Sequence, residues 1–257
     1  MQPRRTLPPL PDPARFGGPG WLASTGGVLD ARQNLCGAAF AARQQVQNLW
    51  ERLTARLRRP ASLAALPAVP DSQLVRLAEE AALAQNPQLL AHGYRSALFG
   101  RALAHIDQVA LDPELMHVCG LLHDVGIMQS VVGEDFTLRS AAIARGCADE
   151  AGEERAVGEH LADALIVHTT VGVSAAKDGA LGAYTQFGAM VDLVGLRLSV
   201  LPRDFVAATL AAHPRGAFKR EILRRLAAEA AALPGGRFGF ARRVGFGLAV
   251  SLAPFPT

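Results

Sequence analysis

From Asp71 to about Ala232 the chain repeats apolar residues at three- and four-residue intervals, interrupted only by short polar or Pro/Gly breaks. No stretch alternates apolar and polar residues as a half-buried strand does, and no longer repeat period shows itself. The pattern predicts helices over 72–86, 88–106, 112–125, 137–150, 153–169, 179–198, 203–212 and 217–232. Composition points the same way: half of the residues are hydrophobic but only 6% are aromatic. Ala and Leu therefore outweigh the β-branched and aromatic types that favour strands. The expected fold is all-α, a compact helical bundle occupying residues 71–235.

The flanks read differently. Residues 1–28 are rich in Pro, Gly and Arg, a composition that predicts an irregular arm, because little apolar surface is there to offset chain entropy. Within 29–70, a helix is expected from Asp30 to about Arg58, carrying Leu35, Phe40, Val46, Leu49 and Leu53. Pro60 sets its boundary, and Arg59 to Pro70 reads as a linker. This helix could cap the core, join copies into a homo-oligomer, or simply pack. Residues 236–257 are left as a C-terminal tail. Lys and Arg number 26 against 23 Asp and Glu, for a net charge of +3 with no long basic stripe, so a nucleic-acid partner is not expected. No window reaches the roughly 18 uncharged apolar residues of a membrane span, and no apolar stretch backs the basic N-terminus as in a secretion signal. Cys36, Cys119 and Cys147 are widely spaced and cannot all pair, which suits a reduced, cytoplasmic setting.

Three of the predicted helices carry polar groups where apolar ones are expected. The 88–106 segment is apolar all round, as a central helix would be, yet His92 and Arg95 share a stripe with Phe99. The 112–125 segment opens on Asp112 as N-cap, Pro113 and Glu114, runs through apolar Leu115 to Leu122, and ends in His123-Asp124-Val125-Gly126. Gly126 is predicted to terminate it in a left-handed conformation. A carboxylate at Asp124 meets the negative end of the helix dipole in a poorly solvated setting, and a nearby cation would resolve both penalties. Asp192 is the lone charge between Phe187 and Leu196. Each residue also has a plainer reading: a buried structural histidine for His92, a helix cap or an ion pair with arginine for Asp192. Together, two imidazoles and two carboxylates make a mixed N/O set suited to Zn, Fe or Mn. His168 falls on the stripe of Val157, Leu161, Ala164 and Leu165 and is expected to face the same interior, as a proton carrier or as a core histidine bonded to backbone. His105, His117, His160 and His213 lack such a context and are given no role.

The segments His92-Gly-Tyr-Arg95-Ser, Leu121-Leu-His123-Asp124-Val-Gly126, Ile166-Val-His168-Thr-Thr and Asp192-Leu-Val-Gly195, in that order, resemble the HD superfamily of metal-dependent phosphohydrolases. Within it they resemble the branch that includes cyanamide hydratase. The resemblance spans roughly residues 85 to 225. It implies a helical bundle around one divalent metal held by His92, His123, Asp124 and Asp192. A metal so held is expected to activate water for attack on a small polar substrate, with His168, Arg95 and Asp124 as the candidate catalytic residues. Arg95 could stabilise developing negative charge or hold an anionic substrate group, or equally neutralise Asp124 or Asp192 as a structural ion pair. Two positions depart from the branch: Thr137 follows Phe136 where a Glu is common, and Ser140-Ala141 stands where Gly-Ala is expected. Three functions remain open at this point: hydration of a nitrile- or amide-like group, hydrolysis of a nucleotide or other phosphate ester, and a regulatory module that holds a metal without turnover. Arg95 alone, with no Gly-rich phosphate cradle or Lys/Arg cluster near the motifs, favours the first over the second.

Overall fold

The computed structural model describes residues 5, 7, 12, 14–54 and 60–255. Among these residues the chain is all-helical, without a strand. Its helices are α1 (Pro19–Thr25), α2 (Ala31–Thr54), α3 (Gln73–Ala82), α4 (Pro87–Ile106), α5 (Pro113–Leu122), α6 (Phe136–Glu150), α7 (Arg155–Val167), α8 (Ala175–Asp178), α9 (Ala180–Val194), α10 (Arg203–Ala212), α11 (Phe218–Ala232), α12 (Arg237–Arg243) and α13 (Phe246–Ser251). The starts follow sequence chemistry: Ser72, Asn86, Asp112 and Asp135 each accept a backbone N–H of the first turn, and Pro stands at the first turn of α4 and α5.

The central element is α4, packed between α5 and α9. Glycines allow that closeness. A Cβ on Gly188 of α9 would collide with the Ser96 carbonyl oxygen of α4, and one on Gly120 of α5 would lie 2.7 Å from Ala97 Cα. Gly188→Ala is therefore expected to cost about 1–3 kcal/mol, as overpacking does. Gly146→Ala, at an exposed α6 position with nothing within 4 Å of the new Cβ, should instead gain up to about 1 kcal/mol. Urea midpoints of the two variants beside wild type check both signs.

The flanks are more ordered than composition suggests. Within the expected irregular arm, α1 docks Trp21 and Leu22 against Ala162, Ile166 and Phe240, and left-handed Gly26 ends it. Two large apolar groups in one short helix outweigh the surrounding Pro and Gly. The remainder of that arm, residues 1–4, 6, 8–11 and 13, lies outside the described residues, as do 55–59 at the end of the second expected helix. In α2 the apolar residues do not form a buried face: Leu35, Val46, Leu49 and Leu53 are exposed and Phe40 only partly covered. Residues 60–70 run without helix and lay Leu63, Leu66 and Val69 on the core. The segment read as a tail folds into α12 and α13, burying Arg237, Phe240, Val250 and Phe255. Lys219 Nζ donates to the carbonyls of Ala253 and Phe255, which ties the chain end to α11. All three cysteines are free thiols. No described helix is long and apolar enough to cross a membrane.

Candidate metal centre

Helices α5 and α7 end in the same way, and that ending builds the centre. His123 and His168 are the C-caps of the two helices. Each turns its ring back on the last turn, with Nδ1 donating to the carbonyl three residues earlier: Gly120 at 2.8 Å and Leu165 at 2.5 Å. Such carbonyls lack a partner within the helix, so the imidazole satisfies one and aims its Nε2 beyond the helix end. The two rings meet edge to face, centroids 5.2 Å apart.

His92, wholly buried on α4, joins them from the side. Its Nδ1 donates to Asp192 Oδ2 at 2.7 Å, which leaves Nε2 facing His123 Nε2 at 3.3 Å. Asp124, one residue past His123, closes the group: its Oδ2 lies 3.5 Å from His123 Nε2 and 3.7 Å from His92 Nε2, and its Oδ1 lies 3.9 Å from His168 Nε2. His92, His123 and Asp124 thus form a buried cluster that could hold a metal ion.

The proton inventory of the cluster is the test of that fit. A carbonyl or carboxylate only accepts, so the three Nδ1 atoms carry ring protons, and in the neutral rings the three Nε2 atoms present lone pairs. Burial lowers the His92 pKa, outweighing the opposing hydrogen bond to Asp192, and pushes His168 down to about 3 with help from the neighbouring His123 ring. Added protons are therefore disfavoured at His92 and His168. Two lone pairs facing each other at 3.3 Å repel, and no Lys or Arg among the described residues pairs with Asp124. A cation between them turns every one of these contacts attractive. Donor atoms bound at roughly 2.0–2.2 Å to one ion sit about 2.8–3.6 Å from each other, close to the observed spacings.

Asp192, the fourth ligand that the resemblance implies, is bonded to the far side of the His92 ring. It lies one imidazole behind the cluster and does not join the set of mutually close donors. Its oxygens are held by His92, by Arg95 at 2.7 Å and by Arg215. Those partners keep its pKa far below the carboxylate range despite complete burial. Arg95 is committed here, with its other terminal nitrogen donating to the carbonyls of His213 and Pro214. It is an ion-pair partner of Asp192, the plainer of its two sequence readings. Phe218 stacks on the His92 ring at 4.6 Å, and both guanidinia lie over the face of Phe218.

The turn after the His-Asp pair also departs from expectation. Gly126 lies in a short 3-10 turn, Val125–Met128, and has no positive φ. Glycine is needed because a Cβ would strike the Phe136 carbonyl and Ser140. Ser140 Oγ donates to the His123 carbonyl and accepts from Gly126 N, which pins the turn from α6. Thr137 works beside it: its hydroxyl donates to Asp135 and accepts from buried Arg237. The two departures from the family pattern thus have local structural work in this chain. Arg215, Arg237, Phe218 and Ser140 carry no signal in the sequence by which periodicity could have found them, since their partners lie far along the chain.

His168 is expected to make the metal-free protein acid-sensitive. Its folded pKa is depressed from 6.5 to about 3, so the unfolded chain binds the proton first. Stability is full above about pH 6.5 and falls as pH drops toward about 3. Urea midpoints of metal-free protein between pH 7 and 4 should fall, and more shallowly in His168→Leu. No family model matches the chain, and no curated protein matches it in sequence.

Proposed function

We propose that the chain is a metal-dependent hydrolase or hydratase of the HD type, acting on a small polar substrate. The observation that carries this reading is the convergence of three imidazole Nε2 atoms on one buried carboxylate that no Lys or Arg among the described residues pairs with. His92, His123 and Asp124 would hold the ion, with Zn, Fe or Mn suited to the donors. Bound there, a divalent metal supplies Lewis acidity and lowers the pKa of water toward neutrality.

The protein's own groups then have definite tasks. Asp192 keeps the His92 proton on Nδ1 and so keeps Nε2 free for coordination. His168 holds its proton on Nδ1 through the Leu165 carbonyl, leaving Nε2 to accept a hydrogen bond or a proton from substrate at the edge of the centre. Its low pKa makes it an acceptor of hydrogen bonds more than a store of protons at neutral pH. Asp124 is the most accessible of the group, its side chain 10% exposed against 4% for His168 and 2% for His123, so bulk water is largely excluded. The neighbouring Arg95 and Arg215 both pair with Asp192, which favours a small uncharged substrate, of the nitrile or amide kind, over a phosphate ester. The test is turnover of cyanamide, small amides and a panel of phosphate esters by protein reconstituted separately with Zn, Fe and Mn. Hydration of cyanamide or an amide is expected. Turnover confined to phosphate esters reassigns the substrate, and none with any substrate leaves a metal-binding module.

A further inference from the structure

A half-open chamber lies between α2, α9 and the segment that follows α7, and contains none of the metal-site donors. It has a volume of about 200 Å³. Phe40, Gln44 and Asn48 of α2 form its roof, at the four-residue spacing of one helix face. The walls include Thr169, just past His168, and Met190 of α9. The rest of its surface is predominantly apolar.

Two features mark the chamber as more than a packing defect. Asn48 Oδ1, Thr169 Oγ1 and Thr170 Oγ1 are buried oxygens on its lining residues, and none of the three has a hydrogen-bond partner. Buried polar atoms are rarely left so, because each loses its water without replacement. Second, the lining carries a single charged side chain, Arg237, and that guanidinium is occupied by Asp135, Thr137 and the Ile166 carbonyl. A charged ligand would enter without a counter-ion. A molecule that donates a hydrogen bond to Asn48 Oδ1 and exchanges one with Thr169 would satisfy two of these three oxygens while its body fills the apolar remainder.

We propose that the chamber beneath α2 is a binding site for a small, uncharged, mainly apolar molecule with one hydrogen-bond-donating head, such as an alcohol or a primary amide. A cavity of about 150 Å³ accommodates benzene, so the ligand here has roughly eight to ten non-hydrogen atoms. The site is separate from the hydrolase reading and stands whether or not that reading does.

The test titrates the full chain with benzyl alcohol, toluene and benzoate and follows binding by saturation-transfer NMR. Benzyl alcohol should bind saturably, about three- to tenfold tighter than toluene, the usual yield of one added hydrogen bond, and benzoate should not bind. Asn48→Leu and Thr169→Val should each bring benzyl alcohol down toward the toluene level. Ala41→Trp, on the roof, and Ala249→Phe, on the opposite wall, should abolish both. Melting curves identify the folded variants, and the polar-to-apolar replacements decide if both filling variants fail to fold. Non-saturable binding, equal affinity for toluene and benzyl alcohol, benzoate binding as tightly as the alcohol, or binding that survives a folded filling variant overturns the proposal.

Discussion

His123→Ala is expected to strip the protein of metal, from about one ion per chain in the reconstituted wild type to almost none under the same conditions. His123 Nε2 is the donor nearest to both other members of the cluster, 3.3 Å from His92 and 3.5 Å from Asp124. Without it, one imidazole and one carboxylate remain. Loss of a partner outside the coordination sphere already costs about 10–100-fold in metal affinity, so loss of a donor should exceed about 100-fold. The metal-free fold should suffer less, because removing one of two facing lone pairs relieves repulsion even as it opens a small void. The contrast appears in melting curves. Saturating metal at about 1,000 times its Kd stabilises by about 4 kcal/mol, and that increment should vanish in the variant. Elemental analysis read beside melting with and without added Zn or Mn checks both halves. Stoichiometric metal retained in His123→Ala would falsify the placement of the centre.

Much of what positions these donors is legible in the amino-acid sequence itself. The predicted helices from residue 72 to 232 match observed ones to within a few residues, because caps such as Asp112-Pro113 act locally, while the 179–198 prediction overruns left-handed Gly195, before which α9 stops. His92, His123 and Asp124 stand out because polar groups interrupt strongly apolar helices, and the fold does bring them together. The local signal stops at partner choice. Asp192 is conspicuous as a lone carboxylate in an apolar window, but whether it meets a metal or an arginine depends on Arg215, which lies in a loop 23 residues later. Apolar content misled in α2, where Leu35, Val46 and Leu49 face solvent, since periodicity identifies a helix without specifying what covers it. At α1 the error ran the other way. Trp21 and Leu22 are two residues in an otherwise Pro/Gly-rich arm, too few to register in composition yet enough to anchor a turn of helix.

Asp192→Asn should be the most destabilising conservative change in the molecule. The carboxylate is fully buried and is the shared counter-charge of Arg95 and Arg215, themselves buried. An amide leaves two guanidinia in the interior without a negative partner, and breaking a buried pair in this way costs about 3–5 kcal/mol. Arg215→Met should cost clearly less. It leaves a one-to-one pair between Arg95 and Asp192, and it removes two buried donors, Nε and Nη2, that have no partner. The pH dependence has a definite sign. The Asp192 pKa is depressed in the folded protein, so its contribution is complete above the ordinary carboxylate value of 3.8 and is lost as pH falls below it. Acid unfolding of wild type should steepen there, and the variant should lack that component. Metal affinity separates the two roles open to this residue. A carboxylate that only orients His92 gives about a 10–100-fold loss in Asp192→Asn, because the amide oxygen can still accept from Nδ1. A direct ligand would give a loss as complete as that of His123→Ala. Urea unfolding and zinc titration of Asp192→Asn, Arg215→Met and His123→Ala side by side decide between them, and the geometry at His92 Nδ1 favours the smaller loss.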